Sequence, residues 1–208
     1  MVCNTVIQEG TPEAKRRKRV LIIRPGGIGD TVLLSAVFKA LKDRFPDIWL
    51  EAMGYPGRLK LATESGILDK SVPFDQPGMD SFLDPCSDPD ERLACYFRTF
   101  DHILFYFNDR EGTLERKFSH AGIRNVAIHP SCPEEGIHIV NWLFLGLKKL
   151  GLEFDRPYCP QIRVTEEAKK EAFRKAGVHA GEGGFVAIHP GSGSKKKCWP
   201  VKNFAAIA

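Results

Sequence analysis

Asp30 follows a cluster of glycines. In the stretch RVLIIRPGGIGDTVLLSAVFKAL (residues 19–41), Gly26, Gly27 and Gly29 precede it, between a continuous apolar run and a pattern with helical spacing. Glycine lets the backbone approach a ligand closely and take positive φ. The N-terminus of the following helix offers free N–H groups to an anion. A carboxylate placed there has two uses. It can cap the helix by accepting N–H bonds from the first turn. It can also act as a general base, taking a proton from a substrate hydroxyl in a cleft, with the helix N-terminus favouring its charged form. A dinucleotide reading competes with both. Gly27-x-Gly29 matches half of that fingerprint, but Val32 holds the third glycine position. Met53 and Gly54 stand where the ribose-binding acid is expected, and Glu51 lies inside the strand. A nicotinamide-dependent oxidoreductase is therefore the least supported alternative. A Walker A loop is excluded, because no Gly-Lys-Ser/Thr follows.

A second set of residues lies in HPGSGSKKKCWP (residues 189–200). Hydroxyls and amides of a Gly/Ser turn suit phosphate oxygens, and a lysine adds a point charge, so Ser192, Ser194 and Lys197 are candidate phosphate ligands. In the plainer reading this is a solvated loop in which Trp199 packs on a sheet and Pro200 opens a helix at its first position. Asp88-Pro89-Asp90 forms a D-x-D string, but in a Pro-rich loop rather than after a strand, and no metal site is expected there. His102, His129, His138 and His189 show no ligand spacing and read as hydrogen-bonded structural residues or groups behind a site. The six cysteines include no CxxC pair, which disfavours a zinc ribbon or a thioredoxin-type site and suits reduced thiols.

The elements that must position these residues alternate in type. RVLIIRP reads as a buried strand, because its apolar run is continuous rather than alternating; IWLEAMG, DKSVPF, DHILFYF and IRNVAIHP read as further strands. Val32, Leu33, Ala36, Val37, Ala40 and Leu41 recur at helical spacing, in a helix that ends before Pro46. Further helices are expected over 57–65, near 90–99, in IHIVNWLFLGLKKLG ending at Gly151, over 165–176, and from Val201 onward. Residues 75–90 read as loop. GFVAIHP (residues 184–190) reads as another buried strand, and VAIHP occurs twice, at 126–130 and 186–190. Strands alternating with helices predict a Rossmann-like, doubly wound parallel α/β sheet.

The chain has 208 residues, of which 43% are hydrophobic, so a sizeable core is expected. Its formal net charge of +4 is too mild to imply nucleic acid. Residues 15–19 form a basic run, read as a solvated tail or face or, more sharply, as attraction to an anionic surface or a phosphate. Residues 1–19 lack an apolar signal core, and NWLFLGL is too short to span a bilayer. These features predict a cytoplasmic location, with peripheral contact at an anionic inner-membrane surface. The expected organisation is a disordered basic tail (1–18), a Rossmann-like domain (19–155), a linker and helix (156–183) and the start of a second domain (184–208). A strand–turn–helix start with no sheet to join predicts self-association through that incomplete domain.

RVLIIRPGGIGDTVLLSAVFKALKDRFP and VAIHPGSGSKKKCWPVKNFAAIA together resemble the ADP-heptose:lipopolysaccharide heptosyltransferase family, the family 9 glycosyltransferases. The resemblance implies a GT-B fold whose N-terminal domain binds acceptor and whose C-terminal domain, here truncated, binds nucleotide-sugar. It implies inverting transfer of a heptose-like sugar from a nucleotide-sugar donor, ADP-heptose, to a lipopolysaccharide-core or related glycan acceptor. On that reading Asp30 is the base and Gly26, Gly27 and Gly29 form the acceptor-side turn. Ser192, Ser194 and Lys197 bind the donor diphosphate, and no cofactor is implied. A non-catalytic acceptor-binding module is the alternative.

Overall fold

The computed structural model describes residues 16–155, 158–177, 186–192 and 194–207. The chain divides into two compact units at the Thr165/Glu166 boundary. The first unit runs β1 (Arg19–Ile23), α1 (Ile28–Arg44), β2 (Trp49–Gly54), α2 (Pro56–Glu64), β3 (Lys70–Pro73), α3 (Met79–Leu83), α4 (Glu91–Arg98), β4 (His102–Tyr106), α5 (Thr113–His120), β5 (Val126–His129) and α6 (Ile139–Lys148). The second contains α7 (Glu166–Ala176), a 3-10 turn (Lys195–Lys197) and α8 (Val201–Ala205).

The five strands form one parallel sheet in the order β3-β2-β1-β4-β5. This is the doubly wound class expected from the alternating elements. Side chains alternate between faces along a strand, so each apolar run feeds two cores. Val20, Ile22, Leu50, Ala52, Leu104 and Tyr106 pack against α1, α2 and α6. Leu21, Ile23, Met53, Ile103 and Phe105 pack against α3, α4 and α5 on the other face. Covering both faces explains why β1, β2 and β4 are buried nearly throughout, whereas β3 and β5 at the sheet edges are partly exposed.

Several expectations are corrected. The loop expected over 75–90 contains α3, whose Met79 and Phe82 are buried. Helix α5 is also absent from the expected elements; its apolar anchors are Leu114 and Phe118, a single i,i+4 pair. On α1 the buried face centres on Leu34, Val37, Phe38 and Leu41, while Val32 and Leu33 are half-buried. Residues 1–15 of the expected tail lie outside the described residues; of the basic run, Arg16 pairs with Asp101 at 2.5 Å and Arg17 with Asp69 at 3.2 Å at the sheet's amino edge, both side chains remaining exposed.

In the second unit, residues 184–185 of the expected strand lie outside the described residues. Residues 186–190 are exposed and form no strand. Among the described residues of that unit there is no other strand to pair with, and a lone strand leaves its apolar faces and backbone groups without partners. Trp199 packs edge-on against Phe204 at 5.2 Å rather than on a sheet. Pro200 is the N-cap of α8, not its first residue. Among the described residues no helix is long and apolar enough to cross a membrane.

Candidate functional site

In an open parallel sheet the ligand crevice lies outside the carboxyl ends of the strands, where the winding direction reverses. Here the reversal falls between β1 and β4. Four connections leave that edge beside one another: 24–27 after β1, Tyr55 after β2, 107–112 after β4 and 130–138 after β5.

Asp30 is the third residue of α1, and Gly27 is the N-cap. The Gly27 N–H donates to Asp30 Oδ2 at 2.6 Å. This is one half of a capping box; the other half needs a side chain that glycine lacks. The second carboxylate oxygen, Oδ1, accepts from Arg24 Nη2 at 2.8 Å. The Asp30 side chain remains 39% exposed, whereas that of Arg24 is only 6% exposed. The carboxylate thus sits at the crevice rim, held from behind by a cation and from the side by an amide.

The glycines act differently from the expectation. None of Gly26, Gly27 and Gly29 has positive φ, and Gly27 is extended at φ −70°, ψ 176°. Gly26 is required by crowding, because a Cβ there would lie 2.7 Å from Asp30 Cβ. Gly29 would meet nothing within 4 Å, so the chain itself does not demand glycine at that position.

Residues not singled out from the sequence complete the rim. Arg24 Nη1 donates to the Ser131 carbonyl at 3.0 Å, and its guanidinium lies 5.8 Å from the Tyr106 ring centre. Ser131 donates through its N–H to Asn108 Oδ1 at 3.0 Å. Arg58, on α2, donates to the Gly26 carbonyl and stacks 4.5 Å from the Tyr55 ring centre. The one local signal was the arginine that ends the apolar run of β1. Arg58, Asn108 and Ser131 carry none, because their convergence depends on strand order.

His129 lies beneath this edge, 5% exposed, with its ring 4.5 Å from that of Trp142. Neither ring nitrogen has a hydrogen-bond partner, which corrects the hydrogen-bonded one of the two expected roles and leaves that of a group behind a site. Burial, aided by the charge of Lys149, pushes the ring down to about 4. His138 caps α6, its Nδ1 accepting from the Val140 N–H at 3.3 Å.

Glu51 is fully buried at the opposite, amino-terminal side of the sheet. It accepts from Trp49 Nε1 at 2.6 Å, Arg19 Nη2 at 2.7 Å and the Tyr96 hydroxyl at 2.8 Å. Burial raises its carboxyl, but these hydrogen bonds and Lys70 outweigh that effect and hold it below the ordinary value. Its carboxylate is committed to this network, so it does not stand in for the missing ribose acid. Asp90 of the D-x-D string accepts from the Leu93 N–H at 2.8 Å as the N-cap of α4. No group of three or more potential metal ligands occurs among the described residues.

In the second unit, the Ser194 carbonyl accepts from the Lys197 N–H at 3.0 Å, and its hydroxyl accepts from the Lys196 N–H at 3.3 Å. These bonds close the 3-10 turn. Ser192 and Lys197 are exposed.

The chain shares its fold with two solved glycosyltransferases. It matches the glycosyl transferase family 9 structure from Veillonella parvula DSM 2008 with a TM-score of 0.66 at 15% identity, over 95% of this chain and 61% of that one. It matches E. coli ADP-heptose lps heptosyltransferase II with a TM-score of 0.63 at 13% identity, over 91% of this chain and 60% of that one. The chain therefore spans about three fifths of the length of these structures. No protein-family model and no curated protein matches the sequence.

Proposed function

We propose that this chain carries the acceptor side of an inverting glycosyltransferase that moves a heptose-like sugar from ADP-heptose to a lipopolysaccharide-core or related glycan. The observation that carries this reading is the Asp30 carboxylate, held at the switch-point rim by Arg24 and the Gly27 amide with 39% of its side chain open. The shared fold supports the reaction class.

Asp30 takes the proton of the acceptor hydroxyl. The hydroxyl oxygen forms the new bond to the anomeric carbon from the face opposite the leaving group. The bond from that carbon to the diphosphate oxygen breaks, and the nucleoside diphosphate departs with the electron pair. Exposed Lys197, with Ser192 and Ser194, neutralises the diphosphate as its charge develops. The peripheral contact with an anionic membrane surface belongs to the same reading, because a lipopolysaccharide-core acceptor is carried on a lipid.

The test is Asp30→Asn in the protein, assayed for heptose transfer from ADP-heptose to a core glycan lacking that heptose. Loss of a general base lowers turnover by about 10²–10⁴. A variant within about threefold of wild type returns Asp30 to a capping role alone. On the donor side, calorimetry with ADP checks Lys197→Ala against Lys196→Ala. The first is expected to weaken binding more, and equal losses would mean a diffuse basic patch. Acceptor binding without transfer by the wild type would favour the non-catalytic module.

A further inference from the structure

We propose that Arg24 is a positioning residue that fixes the orientation of Asp30 and ties it to the loop after β5. This rests on the reading of Asp30 as the base.

Three observations carry it. First, the guanidinium is buried and contacts elements far apart in sequence. It donates to Asp30 Oδ1 at 2.8 Å and to the Ser131 carbonyl at 3.0 Å, and it lies against the Tyr106 ring. Ser131 is in turn bound to Asn108 through both its N–H and its hydroxyl. A single chain of contacts therefore joins the connections after β4, β5 and β1 to the first turn of α1.

Second, the guanidinium is incompletely satisfied. Its Nε is buried without a hydrogen-bond partner. A buried cation with an orphan donor is a poor choice for stability, since apolar side chains of similar volume often serve as well or better. Stability alone does not explain an arginine here.

Third, the geometry suits a base that must be aimed. Arg24 takes one carboxylate oxygen and Gly27 the other, which fixes the carboxylate plane. The open part of the side chain then faces outward. Arg24 itself, 6% exposed, stays behind the carboxylate. Lysine would keep the charge but lose the fork that spans two acceptors at once.

The experiment compares Arg24→Ala, Arg24→Lys and Asp30→Asn. One readout is the Asp30 ¹³Cγ resonance and the Gly27 amide resonance of the labelled protein. The other is transfer from ADP-heptose. Both Arg24 variants are expected to displace the two resonances while leaving amides of β2 and β3 in place, and methylguanidinium is expected to restore them in Arg24→Ala. Turnover of Arg24→Ala should fall by about 10–100-fold, the cost of a misplaced reacting group. The donor KM should stay within about twofold, and Arg24→Lys should fall in between. If Arg24→Ala does not fold, Arg24→Lys decides through the same resonances. Unmoved resonances in a folded variant overturn the inference whatever the turnover. An Asp30→Asn protein that retains turnover overturns the base reading instead, and the two failures are thereby distinguished.

Discussion

The pentapeptide VAIHP occurs at 126–130 and again at 186–190, with two different fates. The first copy forms β5, with Ala127 and His129 buried and Phe105 of β4 paired to Ile128. The second is exposed throughout, with Val186 at 89%. Local propensity is identical, so the difference comes from the surroundings. The first copy lies beside β4 and under α5 and α6; the second has no strand partner among the described residues of its unit. A strand is stabilised by neighbours that cover its faces and pair its edges, and β-propensity records mainly that fit.

The same contrast separates the two candidate subsites. Asp30 stands on a helix whose far side is built into a core, and its carboxylate is held at two points. Lys197 stands on a short turn closed by hydrogen bonds to Ser194. On the proposed reading the two mounts suit two tasks: a base at Asp30 has to be aimed to within a fraction of an ångström, whereas Lys197 as a diphosphate ligand acts as a point charge and tolerates a looser mount.

The comparison breaks most sharply under one substitution made at matched positions. Ala127→Asp puts a carboxylate into a core site that is 8% exposed, and it is expected to cost about 4 kcal/mol or more. Ala187→Asp, at the exposed counterpart, should change stability by no more than about 0.5 kcal/mol. Urea titration of both variants checks the pair, and equal costs would mean that the second copy is covered in solution.

The next effect concerns pH. His129 is held neutral, its ring pushed down to about 4 against an unfolded value of about 6.5. The unfolded chain therefore binds more protons between these values. The stability that follows from keeping the ring neutral is complete above about pH 6.5 and is lost as pH falls toward 4, by as much as about 3 kcal/mol. Urea melts at pH 7 and pH 4.5 should differ less in His129→Gln than in the wild type. An unchanged difference would place the ring in contact with water.

A smaller effect tests packing beneath the candidate site. A Cβ on Gly146 would lie 2.8 Å from Tyr106 Cε1, and that ring is fully buried with its hydroxyl bonded to the Leu143 carbonyl at 2.7 Å. Gly146→Ala should cost about 1–3 kcal/mol despite the better helix propensity of alanine. Gly191→Ala meets only His189 Cε1 at 3.6 Å and should lie within about 0.5 kcal/mol of wild type. Thermal melts of the two variants check the order.

The sequence by itself determined the parallel α/β class, the five strands of the first unit, α1 and the placement of Asp30 in its first turn. Those features depend on neighbours within a few residues: a continuous apolar run, a 3.6-residue stripe, a glycine-rich break. It missed α3 and α5, whose apolar anchors are too few to stand out from a polar loop. Only the tertiary structure decided that Gly26 makes room for Asp30 rather than turning the chain, and that Glu51 is committed to Trp49, Arg19 and Tyr96. It alone brought Arg24 to Ser131, 107 residues away in sequence. It also decided which VAIHP becomes a strand. The physical reason is common to all of these. Hydrogen bonds and burial act over a few ångströms of space, and strand order, which no local pattern encodes, sets which distant residues come within that range.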